Sequence, residues 1–171
     1  MDLKTVIVDI PDFPKPGILF RDITPVLESP AALDAAITGL RQLAASVPFD
    51  RLAAIESRGF LLGAPLSREL KKGLALVRKA GKLPRAVHAE RYDLEYGSAT
   101  VEIHRDSLRP GERVLVIDDL LATGGTAAAA GRLVRQCGAE VVGYLFLVEL
   151  LGLDGRQNLP DAPVFSLVQY D

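Results

Sequence analysis

A run of β-branched and leucine residues, Val114–Ile117, leads directly into two carboxylates and then into a loop of small residues. Such an unbroken apolar run is typical of a strand buried on both faces of a parallel sheet. The loop contains Gly124 and Gly125, and after it Ala127–Cys137 has the pattern of a helix that stops at Gly138. A buried strand that passes through a tight loop into a helix favours an α/β domain over an all-helical or all-β one.

The same alternation extends to both sides of this segment. Further strands are predicted at Leu52–Glu56, Leu74–Arg78 and Val141–Val148, and a helix is predicted at Phe60–Lys72. Ser29-Pro30 supplies an N-cap and a first-turn proline for another helix that runs to about Ser46. We therefore expect a mostly parallel central sheet flanked by helices, with right-handed crossovers.

Two regions depart from the alternation, although 171 residues predict a single domain. Four prolines exclude long helices from about residues 1–28, which we expect to form an appendage packed on the core. About residues 79–97 are rich in charge, with Gly81 and Pro84 near the start and Gly97 at the end. A loop of this length in a compact domain is typically a lid, a binding loop or a disordered segment.

The charge balance and the cysteine content limit the environment and the partners. Twenty basic and 22 acidic side chains give a net charge of −2, which lacks the positive field that drives nucleic-acid binding. One cysteine and two histidines are too few for a Cys/His zinc site, and a reducing cytoplasm is the expected location. The first ten residues do not resemble a signal peptide, and the longest uncharged run, Leu120–Gly131, is too short to cross a membrane.

The loop after the buried strand has the chemistry of a phosphate site. Gly124 and Gly125 let backbone N–H groups approach an anion, Thr123 and Thr126 add hydroxyl donors, and the helix start adds its positive dipole end. Asp118 and Asp119 accept hydrogen bonds only, so they suit sugar hydroxyls or the waters of Mg²⁺ rather than phosphate. Each feature alone would fit an ordinary strand end or turn, but together they point to a ribose phosphate.

This segment is similar to the phosphoribosyl-diphosphate motif of the type I phosphoribosyltransferases. Four further motifs of that family are found at Phe13–Thr24, Glu56–Phe60, Arg78–Pro84 and Tyr92–Gly97. The first and the last of these four narrow the resemblance to the members that use adenine. The fold that the resemblance implies is the type I phosphoribosyltransferase fold, with an N-terminal hood and a flexible lid loop.

The resemblance implies a reaction of adenine with phosphoribosyl diphosphate that gives AMP and diphosphate. Asp118 and Asp119 would bind the ribose, and the 5′-phosphate would lie in a loop made of Ala122, Thr123, Gly124, Gly125 and Thr126. Mg²⁺ would be held by the substrate diphosphate and water, with no direct protein ligand.

The segment Glu56-Ser57-Arg58 resembles the diphosphate loop of the family, in which the peptide that matches Glu56-Ser57 is cis. Many members have Asp in place of Glu56. The resemblance makes Arg58 a catalytic as well as a diphosphate-binding residue, whereas without it a surface arginine would be the simpler interpretation.

Arg78, Lys79 and Lys82 correspond to the part of the lid that closes over the diphosphate. An arginine that matches Arg78 reaches the neighbouring subunit's site, which implies a homodimer. Taken alone, this basic run would be interpreted as a solvated loop.

Two elements of the resemblance concern the base. Glu95 would lie beside the purine and move a proton at N7, and in the hood Phe20 would stack on adenine while Leu19 and Arg21 read its edge. Without the family, Glu95 is one of several charges in the lid, and Leu19 and Phe20 belong to a short buried strand.

Two other functions stay open at this point. Another purine phosphoribosyltransferase, using hypoxanthine, guanine or xanthine, would share the loop motif. A non-catalytic regulator that senses phosphoribosyl diphosphate is less compatible, because 171 residues leave no room for an added DNA-binding domain.

Overall fold

The computed structural model describes residues 1–94 and 97–171, which divide into two compact units, residues 1–39 and 40–171. In the first unit, strands β1 (Val8–Pro11) and β2 (Leu19–Asp22) pair antiparallel. They are followed by helices α1 (Thr24–Glu28) and α2 (Pro30–Ala44), the second of which continues past residue 39. The Ser29 hydroxyl accepts a hydrogen bond from the Ala32 amide at 3.3 Å, which confirms the predicted helix start.

The second unit contains the large sheet and two helices. Its strands are β3 (Arg51–Ile55), β4 (Gly73–Lys79), β5 (Val87–Asp93), β6 (Ser98–His104), β7 (Arg113–Leu121), β8 (Glu140–Leu150) and β9 (Val164–Tyr170), and its helices are α3 (Arg58–Leu70) and α4 (Gly125–Gln136). Within the described residues the strand order is β5-β6-β4-β3-β7-β8-β9. The neighbouring strands β4, β3, β7, β8 and β9 pair in parallel, and the antiparallel pairings are those of β6 with β4 and with β5, so the predicted mostly parallel sheet is confirmed.

The centre of the sheet is apolar, as its sequence predicts. Val114, Leu115, Val116 and Ile117 are all fully buried, because β7 lies between β3 and β8 and is covered on both faces. Leu133 and Val134 of α4 are also fully buried in this core. The apolar run before the two carboxylates therefore anchors the end of β7 firmly in the molecule.

The segment predicted as one long loop, 79–97, differs from that prediction. Residues 87–93 form strand β5, which pairs with β6 from Val87 opposite His104 to Asp93 opposite Ser98. The side chains of β5 that face inward include Glu90 and Tyr92, and their polar groups form hydrogen bonds with α4. Because these inward-facing residues are polar, the sequence of β5 does not show the alternation of apolar and polar residues that predicts a strand. Among the described residues of this segment, the irregular part is limited to the stretch between β4 and β5 and the tip of the β5–β6 hairpin.

Within the described residues, none of the helices is both long enough and apolar enough to cross a bilayer.

Candidate active site

The carboxyl ends of β3, β4 and β7 meet at one edge of the sheet. Ile55 at the end of β3 pairs with Val77 of β4, and Ala54 pairs with Ile117 of β7. This register brings the chain that leaves β3 next to the two aspartates of β7. A pocket at this edge is lined by Glu56, Ser57, Arg58, Lys79, Tyr92, Asp118, Asp119, Leu120 and Thr126. Ligands of open α/β sheets bind at such a position.

The loop between β7 and α4 forms a second concave surface beside this pocket. It is lined by Asp118 and residues 120–127. Gly124 has a φ of +83°, a left-handed conformation that favours glycine, and its carbonyl accepts the first helical hydrogen bond, from Ala128 at 2.9 Å. The N–H groups at the start of α4 have no partner within the helix, so they are available to an anion.

Asp118 lies at the base of this loop in a confined position. Its Oδ1 accepts a hydrogen bond from the Asp119 amide at 2.8 Å, and a Cβ placed on Gly59 would lie only 2.9 Å from the same oxygen. Burial raises the pKa of the Asp118 carboxyl well above its usual range, and the charge of Asp119 raises it further. A hydroxyl donor or a cation at this carboxylate would therefore stabilise its ionised form.

Asp119 is fixed by an arginine from the next strand–helix connection. The Arg58 Nε lies 2.5 Å from Asp119 Oδ2, and Asp119 is only 6% exposed. Arg58 is the first residue of α3, so the pair joins the end of β7 to the start of that helix. The residue predicted to bind diphosphate and one of those predicted to bind ribose are thus in direct contact.

Glu56 also has partners within the chain. Its Oε1 accepts hydrogen bonds from Arg78 Nη2 at 2.7 Å and Nε at 3.1 Å, and its Oε2 accepts one from the Lys79 amide at 2.7 Å. Burial alone would raise the pKa of Glu56, but these donors outweigh it and hold the pKa below its usual value. Glu56 is therefore a carboxylate that positions two of the predicted diphosphate-binding residues, and the Glu56-Ser57 peptide is cis, as the resemblance implies.

The remaining predicted residues are more dispersed. Lys82 is exposed, and its carbonyl accepts from Arg78 Nη1 at 3.4 Å. Leu19, Phe20 and Arg21 lie on β2 in the first unit, where the Phe20 ring meets Phe13 edge-on at 5.1 Å. Glu95 lies outside the described residues. Direct substrate contacts of these residues stay predictions.

Two side chains near the phosphate loop were not expected from the sequence. The Tyr92 hydroxyl accepts a hydrogen bond from the Thr126 hydroxyl at 3.1 Å, and Asn158 Nδ2 donates to the Thr123 carbonyl at 2.6 Å. Tyr92 stands in a motif that the resemblance had singled out, which was a usable signal. Asn158 is 35 residues from Thr123, and no local pattern marks it.

Within residues 1–94 and 97–171, no group of three or more His, Cys, Asp or Glu side chains is arranged to hold a metal ion.

Comparison with known proteins places this geometry in a family. A family model described as "Phosphoribosyl transferase domain" matches residues 24–167. A curated adenine phosphoribosyltransferase from a Synechococcus strain is 54% identical over 171 residues, which cover 100% of both chains.

Solved structures give the same result. The crystal structure of adenine phosphoribosyltransferase from Thermoanaerobacter pseudethanolicus has a TM-score of 0.96 and 47% identity, and the match covers 99% of this chain and 98% of the other. That of the Saccharomyces cerevisiae enzyme has a TM-score of 0.91 and 42% identity, with coverage of 97% and 96%. The chain therefore belongs to the phosphoribosyltransferase family, in the branch of the adenine phosphoribosyltransferases.

Proposed function

We propose that the protein transfers the 5-phosphoribosyl group from phosphoribosyl diphosphate to adenine, giving AMP and diphosphate, a reaction of purine salvage. The observation that carries this proposal is the continuous edge from the glycine loop at the start of α4, across Asp118 and Asp119, to Arg58 and Lys79. It offers donors, acceptors and cations in the order in which phosphoribosyl diphosphate presents phosphate, hydroxyls and diphosphate. The yeast relative is complexed with adenine and D-2,5-dideoxy-2,5-imino-altritol 1,6-bisphosphate, which supports the same ligand class here.

The ribose 5-phosphate end binds at the loop of residues 122–126. Backbone N–H groups at the start of α4 and the hydroxyls of Thr123 and Thr126 donate to the phosphate oxygens. The ribose hydroxyls donate to Asp118 and Asp119. Burial raises the pKa of Asp118 and so disfavours its ionised form, whereas a hydrogen bond donated by a ribose hydroxyl favours the ionised form and lowers that pKa.

The diphosphate end binds beside Arg58 and Lys79, with Arg78 and Lys82 supplied by the lid. Mg²⁺ would be held by the substrate diphosphate and water rather than by a protein side chain, and it would neutralise part of the diphosphate charge. Arg58 is held by Asp119, so it presents its positive charge at a fixed place where negative charge develops on the leaving group.

The chemical step exchanges one bond at the anomeric carbon. The bond from C1 to the diphosphate oxygen breaks through an oxocarbenium-like transition state and its electron pair leaves with diphosphate, the lone pair on N9 of adenine forms the new bond to C1, and the proton carried at N7 passes to the Glu95 carboxylate. Glu95 assists as the acid/base group at N7, and Leu19, Phe20 and Arg21 of the hood hold the base. Closure of the lid, which within the segment 79–97 is the irregular stretch between β4 and β5, excludes water from the reactive cation.

The quaternary and cellular setting follows from the same resemblance. We propose a homodimer in the cytoplasm, in which Arg78 reaches the neighbouring subunit's site. For Arg78 to do so, its hydrogen bonds to Glu56 have to be exchanged for diphosphate oxygens, a substitution of one anion for another.

Product analysis with four bases tests the proposal. The purified protein is incubated with phosphoribosyl diphosphate, Mg²⁺ and adenine, hypoxanthine, guanine or xanthine, and the nucleotides are separated by chromatography. We expect AMP from adenine and little IMP, GMP or XMP. Comparable turnover of hypoxanthine and adenine would contradict the assignment of the base.

A further inference from the structure

We propose that the turn of residues 154–158, which follows β8, is a brace that sets the geometry of the 5′-phosphate loop, and that Asn158 is its positioning residue. The proposal rests on the proposed function, because it concerns the same phosphate site. It adds residues that the resemblance does not assign to any role.

The first contact is the hydrogen bond from Asn158 Nδ2 to the Thr123 carbonyl, at 2.6 Å. In a trans peptide the carbonyl of one residue and the N–H of the next point in opposite directions. By holding the Thr123 carbonyl, Asn158 therefore turns the Gly124 N–H away from itself. If this peptide were free to rotate, it could instead turn its carbonyl oxygen toward the phosphate, and the carbonyl oxygen and the phosphate oxygens would repel each other.

The second contact is between backbones, at two glycines. A Cβ on Gly124 would lie 2.5 Å from the Gly155 carbonyl oxygen, and a Cβ on Gly155 would collide with the Ala122 carbonyl oxygen. Only glycine at both places lets the turn lie directly against the loop. The turn thus supports the loop at Ala122, Thr123 and Gly124, three of its five residues.

The turn is itself tied to the sheet through an ion pair between Arg156, which is partly exposed, and the buried carboxylate of Glu149. Arg156 donates from Nε and Nη2 to the two carboxylate oxygens of Glu149 at 2.6 and 2.7 Å, and from Nη1 to the Val164 carbonyl at 3.0 Å. Glu149 is only 2% exposed and pairs in register with Leu121, the last residue of β7. The brace is therefore fixed to the point of the sheet from which the phosphate loop departs.

The turn does not line the pocket of Arg58, Lys79 and Asp119, where the diphosphate would bind. Asn158 instead lines the space beside Thr123 and Gly125, on the phosphate side. Loss of its hydrogen bond should therefore affect ligands that carry the 5′-phosphate and spare inorganic diphosphate. A general loss of folding would affect both ligands.

The test is the titration of Asn158→Ala with two separate ligands, ribose 5-phosphate and inorganic diphosphate with Mg²⁺, by calorimetry. We expect the affinity for ribose 5-phosphate to fall about three- to tenfold, the range that one hydrogen bond supplies, with diphosphate affinity and thermal midpoint unchanged. In steady state the KM for phosphoribosyl diphosphate should rise by the same factor, with kcat at saturation preserved. Gln157→Ala, an exposed amide on the same turn, is the matched control.

Asn158→Asp is the second variant, because it keeps the shape of the side chain but replaces the donor with an acceptor. It should weaken ribose 5-phosphate at least as much as Asn158→Ala. Unchanged ribose 5-phosphate affinity in both variants, or an equal loss for both ligands, would overturn the brace while leaving the proposed function intact. A wild-type protein that neither binds ribose 5-phosphate nor forms AMP would instead overturn the proposed function, and the brace with it.

Discussion

Arg58 Nε and Asp119 Oδ2 lie 2.5 Å apart, so a cation that lines the pocket at the edge of the sheet and a carboxylate near the end of β7 form one unit. The pair links two successive strand–helix connections, those after β3 and β7. In the proposed function, Arg58 contacts the diphosphate and Asp119 contacts the ribose hydroxyls, so this pair touches both parts of the substrate. We therefore expect the contact of the ribose with Asp119 and the contact of the diphosphate with Arg58 to strengthen each other when one substrate molecule makes both.

Asp119→Asn tests this coupling. The amide keeps the shape but removes the charge that holds Arg58, so kcat/KM for phosphoribosyl diphosphate should fall about ten- to a hundredfold, as for a charged hydrogen bond. Initial rates at varied phosphoribosyl diphosphate measure the effect. Asp106→Asn, which removes an exposed partner of Arg85, is the control and should leave the rate near that of the wild type.

Gly59→Ala places a methyl group against the Asp118 carboxylate. The added Cβ would lie 2.9 Å from Asp118 Oδ1, so the carboxylate has to move from the position in which we propose that it binds the ribose. We expect kcat/KM for phosphoribosyl diphosphate to fall by about one to two orders of magnitude. Gly73→Ala is the matched control, because its Cβ would meet Arg51 at an ordinary 3.5 Å. Equal activities of the two variants would argue against a ribose role for Asp118.

Glu95→Gln addresses the proposed proton transfer. The amide cannot act as an acid or base at N7, so kcat should fall about a hundredfold while phosphoribosyl diphosphate affinity changes little. Steady-state kinetics combined with direct binding separate the two quantities. Glu140→Gln is the control, because Glu140 begins β8 and so lies at the amino end of that strand, away from the carboxyl ends of the strands where the site is. An unchanged kcat in Glu95→Gln would reject the acid/base role.

The Glu149–Arg156 pair predicts a pH dependence of stability. The hydrogen bond from Arg156, followed by that from Ser166, lowers the pKa of Glu149 despite its burial. A carboxyl whose pKa is lowered by folding stabilises the protein fully above about pH 5 and loses this contribution as the pH falls through its folded value.

Urea unfolding of the wild type and Glu149→Gln at several pH values measures this contribution. At pH 7 the variant should be less stable by about 1–3 kcal/mol, and the difference should shrink below about pH 4. A difference that stays constant down to pH 3 would show that packing, and not the charge of Glu149, makes the contribution.

The predictable parts of the fold are those whose burial or helix boundary follows from residues that are adjacent in the sequence. Val114–Ile117 is apolar throughout because β7 is covered on both faces, and Ser29-Pro30 begins α2 through a local cap. The tight loop between β7 and α4 was also predictable, because glycines, threonines and a helix start are adjacent in the chain. Both kinds of signal act over a few residues.

The unpredicted features depend on contacts between distant residues. β5 was assigned to a loop because Glu90 and Tyr92 face inward as polar side chains, and their partners Arg132, Gln136 and Thr126 lie on α4. The sequence predicts that β8 ends at Val148, one residue before Glu149. The charge of Glu149 is compensated by Arg156, which the folded chain brings next to it. In a sequence, a charged residue after an apolar run indicates the end of a strand, and only its ion-pair partner in the structure shows that it is a buried residue within the strand.

The most direct test of the ribose phosphate site is a crystal structure of the protein with AMP. The phosphate oxygens should lie about 3 Å from the backbone nitrogens at the start of α4, with the ribose hydroxyls on Asp118 and Asp119. The adenine ring should stack on Phe20. A phosphate bound at Arg58 and Lys79 instead, with the loop of residues 122–126 empty, would contradict the assignment of the site.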